Sequence, residues 1–185
     1  VGIEGKGEGV WLAWFLVATL RKFAAHADAR RDPGVRDELL TEADQYAEAV
    51  ERSAWDGEWY RRAYFDDGSP LGSRTSDECK IDSIAQSWSV ISGAADQNHA
   101  ALAMEALEKH LIRHEDKIAL LLTPPFDRSL HDPGYIKGYP PGIRENGGQY
   151  THGTIWSIFA LAALGEGDQA GELFAILNPI HHSST

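Results

Sequence analysis

A single cysteine, Cys79, in 185 residues rules out an internal disulfide and every metal site built from several thiolates. It reads instead as a plain helix residue. Basic residues are also scarce: 17 Lys and Arg against 28 Asp and Glu leave a formal charge of −11, with no basic stripe. A phosphate-backbone partner needs such a stripe, so nucleic acid is excluded and any anion must be held by a local site. Long apolar runs are missing too. Val10 to Leu20 falls well short of the roughly 20 residues of a membrane span and lacks the flank and cleavage site of a signal peptide. It reads as a buried helix. The chain opens on Val1 rather than methionine and stops at "HHSST" without a helix stop, which points to a piece of a larger protein.

What is present is ordinary globular composition, 43% apolar with a mean hydropathy of −0.35. Leu12, Phe15, Leu16, Leu20 and Phe23 recur at helical spacing and predict a first helix from about Gly9 to Asp28. Asp32 as cap and Pro33 at the first position start a second, with Leu39, Ala43, Tyr46, Ala47 and Val50 inward. A third carries Ile81, Ile84, Ala85, Trp88 and Ile91 and stops at Gly93. A fourth follows from Asp96, with Ala103, Leu107 and Leu111 on one face. Between them, Trp55 to Ser73 mixes aromatics with turn residues and predicts an irregular hairpin or extended loop. Ile118 to Leu122 reads as a brief strand closed by Pro124 and Pro125, and the glycines and prolines up to Gly148 exclude regular structure. A fifth helix, Thr151 to Leu164, is apolar nearly all round. The sixth has Asp168 as cap, Ala170, Leu173, Phe174 and Leu177 inward, and Pro179 as its end. Six helices make the chain α-dominated, with loops too elaborate for a plain bundle and no repeat of fixed period.

The densest cluster of polar and flexible residues is "ENGGQYTH", Glu145 to His152, directly before the fifth helix. Gly147 and Gly148 permit positive φ or close approach, the first amides of a helix lack partners, and Thr151 and His152 add side-chain donors. The group suits an anion such as phosphate; it equally suits a glycine-rich helix start with a capping threonine and a buried histidine. Lys137, Tyr139, Arg144 and Glu145 add polar groups around the same helix mouth. In "WDGEWYRRAYFDDG", Trp55, Trp59, Tyr60, Tyr64 and Phe65 beside Asp56, Glu58, Arg61 and Arg62 offer flat faces and planar hydrogen-bonding groups, which sugar rings require, or else they pack over the end of a helical barrel. Many acids lie on or near loops (Asp56, Glu58, Asp66, Asp67, Asp77, Glu78, Asp82, Asp127 and Glu145), and no spacing selects a hydrolytic pair. His181 and His182 have no partners at metal-ligand spacing and read as a solvated pair. Gln86 sits on a buried helix, facing a polar cavity.

Together, "WDGEWYRRAYFDDGSPLGS", "DECKIDSIAQSWSVISGAAD", "LLLTPPFDRSLHDPGYIKGYPPGIRENGGQYTHGTIW" and "LFAILNPI" resemble the catalytic domain of glycoside hydrolase family 94 over essentially the whole chain. The family holds cellobiose, chitobiose and cellodextrin phosphorylases and the phosphorylase-like region of cyclic β-1,2-glucan synthases; the opening "VGIEGKGEGVWLAWFL" and the ending "LNPIHHSST" look most like the latter. The resemblance implies one segment, residues 1–185, of an (α/α)6 barrel truncated at both ends. It implies inverting phosphorolysis of β-glucosidic bonds, with β-1,2-gluco-oligosaccharide favoured, inorganic phosphate as co-substrate and no other cofactor or metal. An inverting hydrolase on the same barrel and a non-catalytic carbohydrate-binding module are the alternatives. By resemblance His152, with Gly148 and Thr151, holds phosphate, and Tyr139 and Arg144 contact sugar, with arginine standing where cellobiose phosphorylases have lysine. Glu145, Gln149, Arg62 and Gln86 complete the expected sugar side. The family's acid, an aspartate, is expected upstream of Val1, so the chain alone is expected to be inactive. Self-association of the fragment or a homodimer of the parent is expected, in the cytoplasm or on the cytoplasmic side of the inner membrane.

Overall fold

The computed structural model describes residues 1–182. Helix α1 (Val10–Ala29) turns at residues 30–32 into α2 (Pro33–Ala54), where the Asp32 side chain accepts from the Val35 amide at 3.2 Å, so the predicted cap and first-position proline do start that helix. Ala43, Ala47, Val50 and Ala54 of α2 are buried along with Val10, Trp14 and Val17 of α1, the alanines letting the two axes approach closely. After this hairpin, β1 (Ala63–Tyr64) pairs antiparallel with β2 (Pro70–Leu71), the irregular hairpin the sequence predicts. Strand β3 (Ile81–Asp82) leads into α3 (Ser83–Ile91), and a turn at residues 92–96 into α4 (Gln97–Leu111), with Asp96 capping the amides of Asn98 and His99 at 2.9 and 3.1 Å. Strands β4 (Ile112–Arg113) and β5 (Ile118–Ala119) form a second hairpin, and β6 (Leu122–Thr123) pairs with β3. A 3-10 turn at Tyr135–Gly138 precedes α5 (Thr151–Ala163), α6 (Gly167–Leu177) and a last turn, α7 (Pro179–His182).

The three helical hairpins stand side by side. Helix α3 packs on both α1 and α5, while α2, α4 and α6 each lie behind the helix that precedes them. Each of α1, α3 and α5 leaves by a short turn, and both α3 and α5 are reached through a long loop, residues 55–82 or 112–150. The N-termini of these three helices therefore meet the elaborate loops at one end of the molecule. A small core of Ala63, Phe65, Leu71, Cys79, Leu122, Phe126 and Ile136 lies under those loops and fixes them to the helices.

Several expectations need correcting. On α1 the buried residues are Val10, Trp14, Val17, Ala24 and Ala27, whereas Leu12, Phe15 and Phe23 are 54%, 44% and 63% exposed. This helix is apolar on nearly all sides, so periodicity could not choose its covered face. Tyr46 and Phe174, expected inward, point outward as well. Cys79 is not helical: it sits in a loop with φ 46, fully buried, its thiol pushed up to about 12 by that burial. Helix α6 starts at Gly167 with no side-chain cap, so Asp168 lies in its first turn instead; the helix does stop before Pro179, at Leu177, and Pro179 then opens the short α7. The expected strand at 118–122 is two strands of different sheets. His181 is exposed and its Nδ1 lies 3.0 Å from the Ala175 carbonyl oxygen; no group of three or more metal-binding side chains occurs among the described residues. Residues 183–185 of the "LNPIHHSST" block lie outside the described residues. Among the described residues, no helix is long and apolar enough to cross a membrane.

One contact between the outer layer and the loops is pH-dependent. His114, in the β4–β5 turn, lies 2.5 Å from Glu108 of α4 and 2.9 Å from Glu172 of α6. The hydrogen bond to Glu108 raises its pKa most, burial opposes it, and the hydrogen bond to Glu172 with the charges of both carboxylates leaves the pKa raised. A raised folded value means stabilisation that is complete below the ordinary histidine value of about 6.5 and is lost as pH climbs through the folded value. The melting temperature of the protein should exceed that of His114→Gln most near pH ~6, with the gap closing by pH ~9. A gap that does not change with pH would show that His114 acts through packing.

Candidate functional site

Trp11, Ile84 and His152 are each the second residue of their helix, α1, α3 and α5, and all three line one cavity of about 300 Å³. Its wall is completed by Arg62, Leu121, Tyr135, Ile136, Glu145, Tyr150 and Trp156. The backbone that carries this wall is continuous. Val10, first residue of α1, donates to the Arg62 carbonyl at 3.0 Å; Ser83, first of α3, donates to Leu121 at 2.9 Å; and Leu121 donates to Gly148 at 2.9 Å, two residues before Tyr150 caps α5. Three helix N-termini thus share one opening, each bringing the positive end of its dipole there, that of α3 met by the Asp82 carboxylate that caps it.

The α5 mouth carries no side-chain cap, because its N-cap is Tyr150. Thr151 is therefore the exposed first helical residue rather than the cap, and His152 follows it, also exposed. The His152 ring stacks on Trp156 at 6.0 Å, and Trp156 on Trp11 at 5.8 Å, so an aromatic column runs from the α5 mouth to α1. Gly153, in the first turn of α5, is where that helix meets the start of α3 and the loop before β6: an added Cβ would sit 2.8 Å from Leu121 Cδ1 and 3.2 Å from Ser83 Oγ. Glycine there is what lets the two helix starts share a cavity.

The glycines before α5 divide their work. Gly147 has φ 83 and lies against Pro125 and Leu122. Gly148 is a close-approach position, with an added Cβ 2.9 Å from the Arg144 backbone, and its amide donates to the Arg144 carbonyl at 3.0 Å. Gly148 thus stands behind the wall, its amide committed. Gln149 also serves the scaffold, accepting from the Ala119 amide at 2.9 Å. Asn146, fully buried, accepts from the Phe126 amide at 2.7 Å and donates to the carbonyls of Phe126 and Tyr139 at 2.8 Å, pinning the loop from inside. Gln86, expected to face a polar cavity, is fully buried and clamps the Tyr60 backbone, accepting from its amide and donating to its carbonyl at 2.8 Å, and donates to the Asp82 carbonyl at 3.0 Å. Tyr139 and Arg144 lie off the wall, the Arg144 guanidinium 4.8 Å from the Tyr139 ring centre.

Two charged groups do reach the cavity beside His152. Glu145 is 12% exposed, and its Oε2 accepts no hydrogen bond although Arg144 Nε lies 3.5 Å away. Arg62 pairs with Asp82; burial acts to lower its pKa, but the Asp82 carboxylate outweighs this and the pKa is raised. Four of the other acids are bound elsewhere. Asp56 holds Arg61, Ser73 and the Arg74 amide; Asp66 holds the amides of Glu4, Lys6 and Gly7; Asp67 holds Ser69 and His131; and Glu78 holds the Arg128 amide. The aromatic cluster of the 55–65 loop is turned inward: Trp59, Tyr60 and Phe65 are buried and Trp55 stacks on His99 at 4.0 Å, which leaves no flat platform for a sugar there. Sequence reasoning missed Trp11, Tyr135, Tyr150 and Trp156 as wall residues. Their only signal was proximity to helix starts.

Fold and site together define an all-α protein of packed helical hairpins with a cavity at the end where α1, α3 and α5 begin. The family model for the glycosyl hydrolase 94 superfamily, catalytic domain, matches residues 2–185, and the chain belongs to that family. It is 47% identical over 183 residues to the cyclic beta-(1,2)-glucan synthase NdvB of Rhizobium meliloti (strain 1021), covering 99% of this chain and 6% of that protein. It is 36% identical over 190 residues to the solabiose phosphorylase of Paenibacillus borealis, covering 99% and 24%, and 30% identical over 181 residues to the N,N'-diacetylchitobiose phosphorylase of Vibrio furnissii, covering 97% and 22%. The chain thus spans a quarter or less of the length of these relatives.

Proposed function

We propose that this chain forms three of the six hairpins of an (α/α)6 barrel, and that the parent protein transfers glucosyl groups between β-linked oligosaccharides and inorganic phosphate with inversion. The observation that carries this reading is the convergence of three helix N-termini on one cavity bearing His152, Arg62 and Glu145. Phosphate would lie at the α5 mouth against His152 and Thr151. Its oxygen attacks the anomeric carbon, the glycosidic C–O bond breaks, and a carboxylic acid gives its proton to the departing oxygen. Phosphate being the nucleophile, only one carboxyl group need act, in contrast to the pair of an inverting hydrolase. That acid is the aspartate expected upstream of Val1. Glu145 and Arg62 would hold sugar hydroxyls, with Tyr139 and Arg144 on the loop beside them. The likeness to a cyclic β-1,2-glucan synthase favours a β-1,2-linked glucan as substrate.

The full-length parent, given a β-1,2-linked gluco-oligosaccharide, should form α-glucose 1-phosphate only when phosphate is supplied. The 185-residue chain alone should form none, since a missing general acid costs about 10²–10⁴ in rate. Free glucose released equally with and without phosphate would establish a hydrolase instead, and sugar binding without turnover a binding module.

A further inference from the structure

Asp82 is 2% exposed, yet it is spent on no substrate-facing task. One carboxylate oxygen, Oδ1, accepts from the Ala85 amide at 3.0 Å and caps α3. The other, Oδ2, accepts from Nη1 of Arg62. Arg62 in turn receives the first amide of α1 on its own carbonyl at 3.0 Å and donates its amide to Leu71 at 2.8 Å. One ion pair therefore joins the starts of α1 and α3. It also fixes a guanidinium that is 19% exposed and lines the cavity.

The geometry points to Asp82 as a positioning residue that sets where Arg62 meets the substrate; this rests on the proposed reading of the cavity as the glycosyl-transfer site. A guanidinium has five donors, and with Nη1 committed to Asp82 the rest of the planar fork is held in one orientation for sugar hydroxyl or phosphate oxygens. A neutral side chain at 82 would still cap α3, since asparagine is as good a cap as aspartate. It would leave Arg62 without its counter-charge, free to swing toward any acceptor nearby, including Glu145 on the same wall.

The test uses the full-length parent with Asp82→Asn, Arg62→Met and the double variant, each assayed for phosphorolysis and for melting temperature. Asp82→Asn should lower kcat/KM by about tenfold to a hundredfold, the range a small misplacement of a binding group produces. Removing both charges should restore melting temperature relative to Asp82→Asn, because an uncompensated buried charge is then gone. It should not restore activity, which stays at the level of Arg62→Met. Activity returning together with melting temperature would make the pair purely structural and overturn the inference, as would unchanged kcat/KM in Asp82→Asn. If Asp82→Asn does not fold, the comparison of the double variant with Arg62→Met still decides. A wild-type parent with no phosphorolysis would instead defeat the reading of the site, and this inference with it.

Discussion

Gln86→Leu is expected to destabilise the protein by about 2–5 kcal/mol, the largest single loss of stability we predict. Leucine nearly matches glutamine in size and would fill the same fully buried volume, so packing is not what suffers. The loss comes from the Tyr60 amide and carbonyl, which both bond to the Gln86 carboxamide at 2.8 Å and would be left buried without partners. Each such group costs about 1–3 kcal/mol. Because Tyr60 lies two residues before Arg62, the same change should loosen the guanidinium at the cavity wall. Denaturant unfolding checks the first effect. A midpoint shift worth less than about 1 kcal/mol would mean that the loop finds other acceptors.

In the full-length parent, His152→Ala should lower kcat/KM for phosphate by about 5- to 150-fold, the equivalent of one charge-assisted hydrogen bond of 1–3 kcal/mol. The effect on sugar should be much smaller. His152 also stacks on Trp156, so alanine alone confounds two losses. His152→Phe separates them: it keeps an aromatic face against Trp156 but no donor, and should lose phosphate use as fully as alanine does. Recovery in the phenylalanine variant would assign His152 to packing.

Much of the fold was legible because its signals are local. Asp32 and Pro33 start α2, Asp96 caps α4, and the 55–73 segment forms its hairpin where composition indicated. Each of these depends on residues within one turn of chain. The run apolar on all sides at α5 likewise marked a helix packed against more than one neighbour.

The site was legible only in part. "ENGGQYTH" marked the α5 mouth because glycines, a threonine and a histidine before an apolar run are informative without any partner, and Gly147 does adopt positive φ. Which of its residues face the cavity was not in the string. Gly148, Gln149 and Asn146 are turned to the scaffold and Glu145 to the cavity, although they are neighbours in sequence.

By itself, then, the sequence determined the helices, their caps, the family likeness and the position of the α5 mouth, since these follow from spacing, backbone preference and composition over short windows. Only the tertiary structure decided that Trp11, Arg62, Ile84 and His152 share one cavity, that Gln86 is a strut, and that Asp82 belongs to Arg62. Those facts depend on contacts between residues twenty or more positions apart, set by how α1, α3 and α5 pack, and an apolar helix with two usable faces does not announce which one it will bury.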